Sequence, residues 1–293
     1  MHNKERLGTI GVFLTALIWG YSFVAVKVVV QEIEPFYLVG FRNLAGGIFL
    51  SIIFFKKLIK TTKRDILLSI PVGTALFLGF FLQTMSSKFI TASKVAFFTG
   101  SYVIFIPFFS WIVYKKRPHI AAFIAAIITI IGLYLLTSFD GFGSIKAGDS
   151  FALLCAIVFA IHLMLIDKML EYVDGIRMAA LQLIIAGTIS FAVGIITSTP
   201  FNINAVSSES IYSLLYLTIG ATGIAYLLQT VSQKYVNPSK AGIILSLESF
   251  LGALAGIIFM KDPLTINFII GGICMVAAIF ICEIGSNMKK SDS

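Results

Sequence analysis

Three ionisable side chains stand deep inside stretches that are otherwise Leu, Ile, Val, Ala and Phe: Arg42, His162 and Glu248. A charge in apolar surroundings costs at least a few kcal/mol, so such residues are read first for chemistry. Glu248 can bind an amine or take up a proton; protonated, it can instead serve as polar glue between helices. Arg42 carries a fork of donors suited to a carboxylate, whether a ligand's or that of Glu248, unless its long stem snorkels outward to the surface. His162 can relay protons, or act only as a hydrogen-bonding strut. Gln83 and Gln229 sit in the same Leu-Gln-Thr triplet and need partners, either a wet cavity or a neighbouring helix. Trp19, Tyr21, Tyr102 and Tyr226 can form an aromatic wall for a hydrophobic or cationic ligand, although a chain with 27 phenylalanines can equally use them as packing.

The elements that must hold these groups are membrane helices. Hydrophobic residues make up 58% of the chain, charged ones 12%, and the mean hydropathy is +0.97. This composition predicts an all-α integral membrane protein, because long unbroken apolar runs satisfy their backbone in lipid only as helices. Ten spans are expected, at 7–30, 36–55, 66–83, 93–114, 119–137, 149–167, 176–198, 211–232, 239–260 and 264–284. The first lacks a small-residue cleavage site and should stay attached. Sixteen of the 22 Lys and Arg fall on the N-terminal side of the membrane, which predicts a multi-pass protein of the cell membrane with both termini cytoplasmic. These cations account for the net charge of +8 and give no reason to expect a nucleic-acid partner.

The second half echoes the first. Leu82 to Lys94, containing Leu-Gln-Thr, returns 146 positions later as Leu228 to Lys240. An odd number of spans per copy turns the second copy over, so the expected architecture is two inverted five-helix repeats, 1–140 and 141–293, joined by the polar stretch 138–148. At an offset of 140, Trp19 meets Phe159, Arg42 meets Gln182 and Gly47 meets Gly187; at 146, Gln83 meets Gln229 and Tyr102 meets Glu248. Such pairs converge on the centre, where carriers bind. Glu248 lies ten residues beyond Pro238, which is about 15 Å along a helix and near the bilayer midplane. Asn237 should cap the ninth helix, with Pro238 in its first turn, and Thr91-Ala92-Ser93 opens the fourth in the mirrored position, placing Lys94 and Lys240 at equivalent starts on opposite faces. Asp167 reads as an interfacial cap. Gly46-Gly47, Gly271-Gly272 and the Gly252 to Gly256 spacing should let helices approach closely.

The repeat, Trp19-Gly20, Arg42 with Gly46-Gly47, and the stretch from Tyr102 through Pro107 to Arg117-Pro118 resemble EamA-type members of the drug/metabolite transporter superfamily. The resemblance implies a ten-helix carrier of amino acids, other small metabolites or drugs, often moving them outward. There are departures: Ser249 follows Glu248 where the family often has proline, Asp262 replaces a glutamate, and Phe159-Ala160 stands where many relatives repeat Trp-Gly.

The expected function is therefore secondary or exchange transport of a small molecule by alternating access, with a proton or counter-substrate as coupling partner and a homodimer as one assembly. The candidate binding residues are Glu248, Arg42, Gln83, Gln229, Tyr102, Trp19, Tyr21 and His162. No cofactor or metal is expected: Cys155, Cys274 and Cys282 lie in apolar segments without CxxC spacing. An enzyme is disfavoured by the lack of HExxH, GxSxG and paired intramembrane aspartates, and ATP drive by the lack of a Walker A pattern. A lipid flippase of the same fold is the alternative, with a receptor or scaffold further behind.

Overall fold

A computed structural model describes residues 2–115, 117–137, 147–199, 206–259, 264 and 266–291. The 138–146 part of the linker and the Lys261-Asp262-Pro263 turn lie outside the described residues. Every regular element among those described is helical. In the N-terminal half these are α1 (His2–Val29), α2 (Pro35–Ile53), α3 (Phe55–Leu58), α4 (Lys63–Phe89), α5 (Ala92–Gly100), α6 (Tyr102–Tyr114) and α7 (Ile120–Thr137). In the C-terminal half they are α8 (Ala147–Met169), α9 (Gly175–Ile196), α10 (Ser208–Leu215), a π-helical segment (Tyr216–Ile224), α11 (Ala225–Gln233), α12 (Pro238–Leu245), α13 (Leu247–Phe259) and α14 (Ile266–Ser291). Among the described residues, seven helical stretches are long and apolar enough to cross a membrane, and Ile120–Leu135 and Ile269–Cys282 are shorter apolar helices. The chain is a multi-pass membrane protein.

Three spans depart from the uninterrupted helices expected. The fourth breaks at Ser101 and the ninth at Ser246, and each serine turns its hydroxyl back onto the carbonyl three residues earlier, Phe98 at 2.5 Å and Ile243 at 2.7 Å. Such back-bonding competes with the helix ladder and bends it. The eighth contains the nine-residue π segment. The third is longer than expected: α4 opens one residue after Thr62, which forms a capping box with Asp65.

Small residues set the closest approaches, as they do where lipid supplies no hydrophobic drive between helices. On α2 and α9 the contact is reciprocal: a Cβ on Gly47 would sit 2.9 Å from the Ile184 nitrogen, and one on Gly187 would run into the backbone of Leu44. Elsewhere α4 packs on α8, α1 on α11 and α13, and α7 on α14.

Polar contacts gather at two ends. At one, Lys57 pairs with Asp174 at 3.4 Å, Arg177 with Asp65 at 3.3 Å and Lys240 with Glu5 at 3.8 Å. At the other, Lys88 pairs with Glu34 at 2.7 Å, Glu32 accepts from the Ser207 amide at 2.8 Å, and the Lys27 ammonium donates to the carbonyls of Ser87 and Ile90. Each of these contacts joins segments that the alternation of spans puts on the same side. The Val30–Ile33 and Leu170–Val173 turns share one hydrogen-bond pattern, residue for residue, at an offset of 140. The predicted Asn237 cap forms, accepting from Lys240 at 2.8 Å, and at the mirrored start Thr91 accepts from Lys94 at 3.4 Å. Asp167 caps nothing; its carboxylate takes the Tyr114 hydroxyl.

Candidate functional site

A narrow cavity lies between the halves, lined by residues of α1, α2, α4, α6, α8, α11, α12 and α13. It contains about 460 Å³ of atom-free space, of which about 40 Å³ can host the centre of a water molecule. At roughly 10–15 Å³ per water, that is room for a few waters. Trp19, Arg42, Gln83, Tyr102, His162, Gln229 and Glu248 all line it. Tyr21 does not: its ring meets Tyr216 edge-on at 5.2 Å, so this member of the predicted aromatic wall belongs to another contact.

Arg42 is held by the π segment. The guanidinium lies 4.0 Å over the Phe80 ring, its Nε donates to the Thr222 hydroxyl at 2.9 Å, and Nη1 is buried without a partner. With 1% of its surface exposed, Arg42 does not snorkel. No carboxylate lies within 4.0 Å of it among the described residues, Glu248 included, so the Arg42–Glu248 pair is not made in this state. An uncompensated buried charge costs several kcal/mol, and an anion delivered to Nη1 would relieve that cost. A π segment has wider turns and irregular hydrogen bonding, which is why such segments recur at functional sites. Here its Ala221 carbonyl also accepts the Trp19 indole N–H at 2.7 Å.

Glu248 stands in the first turn of α13, just past the Ser246 break, and is 5% exposed. Its carboxyl group has no hydrogen-bond partner among the described residues. Across the break in the fourth span, Tyr102 begins α6 with a buried hydroxyl that is likewise unpartnered. Gln229 gives its amide to Gln233 Oε1 at 3.1 Å and keeps a buried, unpartnered Oε1 of its own. Gln83 reaches Thr99 at 3.5 Å. An unmade buried hydrogen bond costs about 1–3 kcal/mol, so orphans gathered around one cavity mark a place where a ligand or water supplies the missing partners.

His162 is a strut in this state: its Nε2 and Gln182 Oε1 are hydrogen-bonded at 2.8 Å, and Gln182 donates onward to Thr230 at 2.9 Å. Gln182, the mate of Arg42, thus supports the site from behind. Cys155 is also behind the cavity, with its thiol on the Gly79 carbonyl at 3.3 Å. Among the described residues no group of His, Cys, Asp and Glu is placed to hold a metal.

Sequence reasoning passed over Ser22, Phe80, Leu163 and Leu245 as lining residues. Two of them were accessible from the offsets already in use. Ser22 lies 140 positions before His162, and Phe80 lies 146 before Tyr226.

The family profile of the EamA-like transporter family matches residues 6–138 and 146–283. An uncharacterized transporter of Archaeoglobus fulgidus is 29% identical over 281 residues, covering 96% of this chain and 87% of its own. The Bacillus subtilis uncharacterized transporters YvbV and YoaV are 25% and 23% identical, over 98% and 96% of this chain and 95% and 98% of theirs. A solved crystal structure superposes with a TM-score of 0.79 at 17% identity, covering 94% of this chain and 96% of that one, and so shares the fold.

Proposed function

The chain belongs to the EamA-like transporter family, and we propose that it is a secondary or exchange transporter moving a small organic metabolite outward across the cell membrane. In this reading ten spans form two inverted five-helix repeats, 1–140 and 141–293, which rock around the central cavity with both termini in the cytoplasm. The reciprocal Gly47 and Gly187 contacts and the breaks at Ser101 and Ser246, one residue apart in register at the offset of 146, support that arrangement. Interrupted spans in corresponding positions of two halves are a recurrent way to build a midplane binding site.

One observation carries the proposal: the unpartnered Arg42 Nη1 and the Glu248 carboxyl, which makes no hydrogen bond among the described residues, line the same cavity. A cargo bearing both an anionic group and an amine, as amino acids do, satisfies both at once, with its apolar part against Trp19, Phe80 and Tyr226. Emptied of cargo, Glu248 exchanges a proton and couples transport to pH. Space for only a few waters means that the walls must part to admit such a molecule, as alternating access requires.

A flux screen across amino acids and amphiphilic cations, in membranes with and without the protein, tests the substrate class; equal flux of every compound in both membranes sinks it. For the coupling, Glu248→Gln should reach the membrane in normal amount, yet lose about tenfold in flux together with the pH dependence of transport. Flux that still tracks pH in that variant returns Glu248 to a structural role.

A further inference from the structure

One helical turn separates the central cavity from a second, open groove. Gln229 lines the cavity, and Gln233, four residues on, lines the groove. The groove holds about 860 Å³ of atom-free space between Tyr114, Asp167, Lys234, Tyr235 and Asn237, at the end of the molecule where Lys240 meets Glu5 near the N-terminus. Gln233 is 1% exposed, and both of its amide atoms are used on cavity-lining residues: Oε1 accepts from Gln229 at 3.1 Å, and Nε2 donates to the Leu163 carbonyl at 3.1 Å. A single side chain therefore ties α11 to α8 at the floor of the cavity, with the groove directly beneath.

We propose that Gln233 is the gate on the N-terminal face: breaking its two hydrogen bonds joins the cavity to the groove, which is the vestibule through which cargo passes on that side. The inference rests on the carrier reading above. The chemistry suits a gate, because a neutral amide pair in a partly wet channel exchanges its bonds for bonds to water or to a passing polar cargo at little net cost. An ion pair or a packed aromatic plug would hold the floor shut more firmly. Gln229 keeps its orphaned Oε1 beside the cavity while its amide is engaged below. A cargo amine that binds Oε1 therefore acts on the same side chain that holds the gate, which links occupancy to opening.

The position equivalent to Gln233 in the first half, 146 residues earlier, is Ser87, whose hydroxyl folds back onto the Gln83 carbonyl at 3.0 Å. That side chain is too short to repeat the bridge, so a seal of this construction belongs to one face only.

The test is side-specific access to a cavity thiol. Ser22→Cys, in a chain whose Cys155, Cys274 and Cys282 are replaced by serine, is exposed to a charged, membrane-impermeant methanethiosulfonate from each face of sealed vesicles in turn. Gln233→Ala should speed labelling from the N-terminal face about tenfold, the worth of two ordinary hydrogen bonds, and leave the opposite face unchanged. Gln233→Asn, one methylene shorter and more conservative for folding, should speed it by a smaller factor on the same face. Rates that ignore Gln233, or that rise equally on both faces, overturn the gate. A reporter that reacts from neither face, whether Gln233 is intact or replaced, overturns the carrier reading instead.

Discussion

The two segments that the family profile matches in turn line the cavity with like residues but unlike charges. Positions 140 or 146 apart line the cavity as Trp19 with Phe159, Ser22 with His162, Phe80 with Tyr226, Gln83 with Gln229 and Tyr102 with Glu248. Aromatic answers aromatic and amide answers amide, so the shape of the chamber is shared between them. Charge is not shared: the N-terminal half supplies Arg42 where the other has Gln182, and the C-terminal half supplies Glu248 where the other has Tyr102. Sequence-equivalent positions thus line the space from both segments, and two unshared residues give it a cationic side and an acidic side. On the carrier reading proposed above, a polar cargo would have one preferred orientation in such a space.

The comparison breaks most severely at Arg42. Arg42→Gln copies the Gln182 side and should reduce transport of an anionic-group cargo by two or more orders of magnitude, about 3 kcal/mol, at unchanged membrane abundance. Flux measured against immunoblotted protein decides this, and a loss of a few-fold or less would return the guanidinium to a packing role. The Gly47 and Gly187 pair comes next. Both Cβ atoms would meet backbone, the Leu44 nitrogen at the closer approach for Gly187→Val and the Ile184 nitrogen at 2.9 Å for Gly47→Val, so both should destabilise by about 1–3 kcal/mol, with position 187 the worse. Thermal unfolding in detergent ranks them; an inert Gly187→Val would mean that α2 and α9 are not locked together there.

The smallest effect compares two turns. Asp174 caps α9 by accepting from the Ile176 and Arg177 amides, whereas Glu34, its equivalent before α2, makes no side-chain cap. Asp174→Ala should cost about 1 kcal/mol and Glu34→Ala less. Partial burial pushes the Asp174 carboxyl up, but the Arg177 amide, the Lys57 ammonium and the Ile176 amide together bring it below the ordinary carboxylate value. A lowered folded-state pKa means that the cap's contribution is fully present above the unfolded value and fades as pH falls through the folded one. The gap between wild type and Asp174→Ala should therefore close in acid, and a gap independent of pH would count against the cap.

Much of this was readable in the residues because lipid leaves few choices. Apolar runs must be helices, and a rare intramembrane Arg, Glu or His must face protein or water, so Arg42, His162 and Glu248 could be singled out by type alone, and all three line the cavity. The offsets found the rest where they were applied and would have found Ser22 and Phe80. Tyr21 was misassigned because the residue type fits either a cavity or a packing contact, and a two-residue step from Trp19 rotates a side chain to a different helix face. The breaks at Ser101 and Ser246 and the π segment were invisible to hydropathy, which counts apolar residues and ignores which carbonyl each amide uses. Their signals are local: a serine able to bond backward, and a Tyr216–Ile224 stretch holding two glycines and two threonines.

The π segment also fixes angular phase. Each residue advances an α-helix by about 100°, so a wide turn spanning Tyr216–Ile224 sets the azimuth of everything after it, Tyr226 and Gln229 included. Rewinding that stretch as a regular α-helix of the same length would turn those two side chains about the helix axis, away from Arg42's neighbourhood. The irregular turn is a phase adjuster, and length in this part of the chain is therefore as constrained as composition.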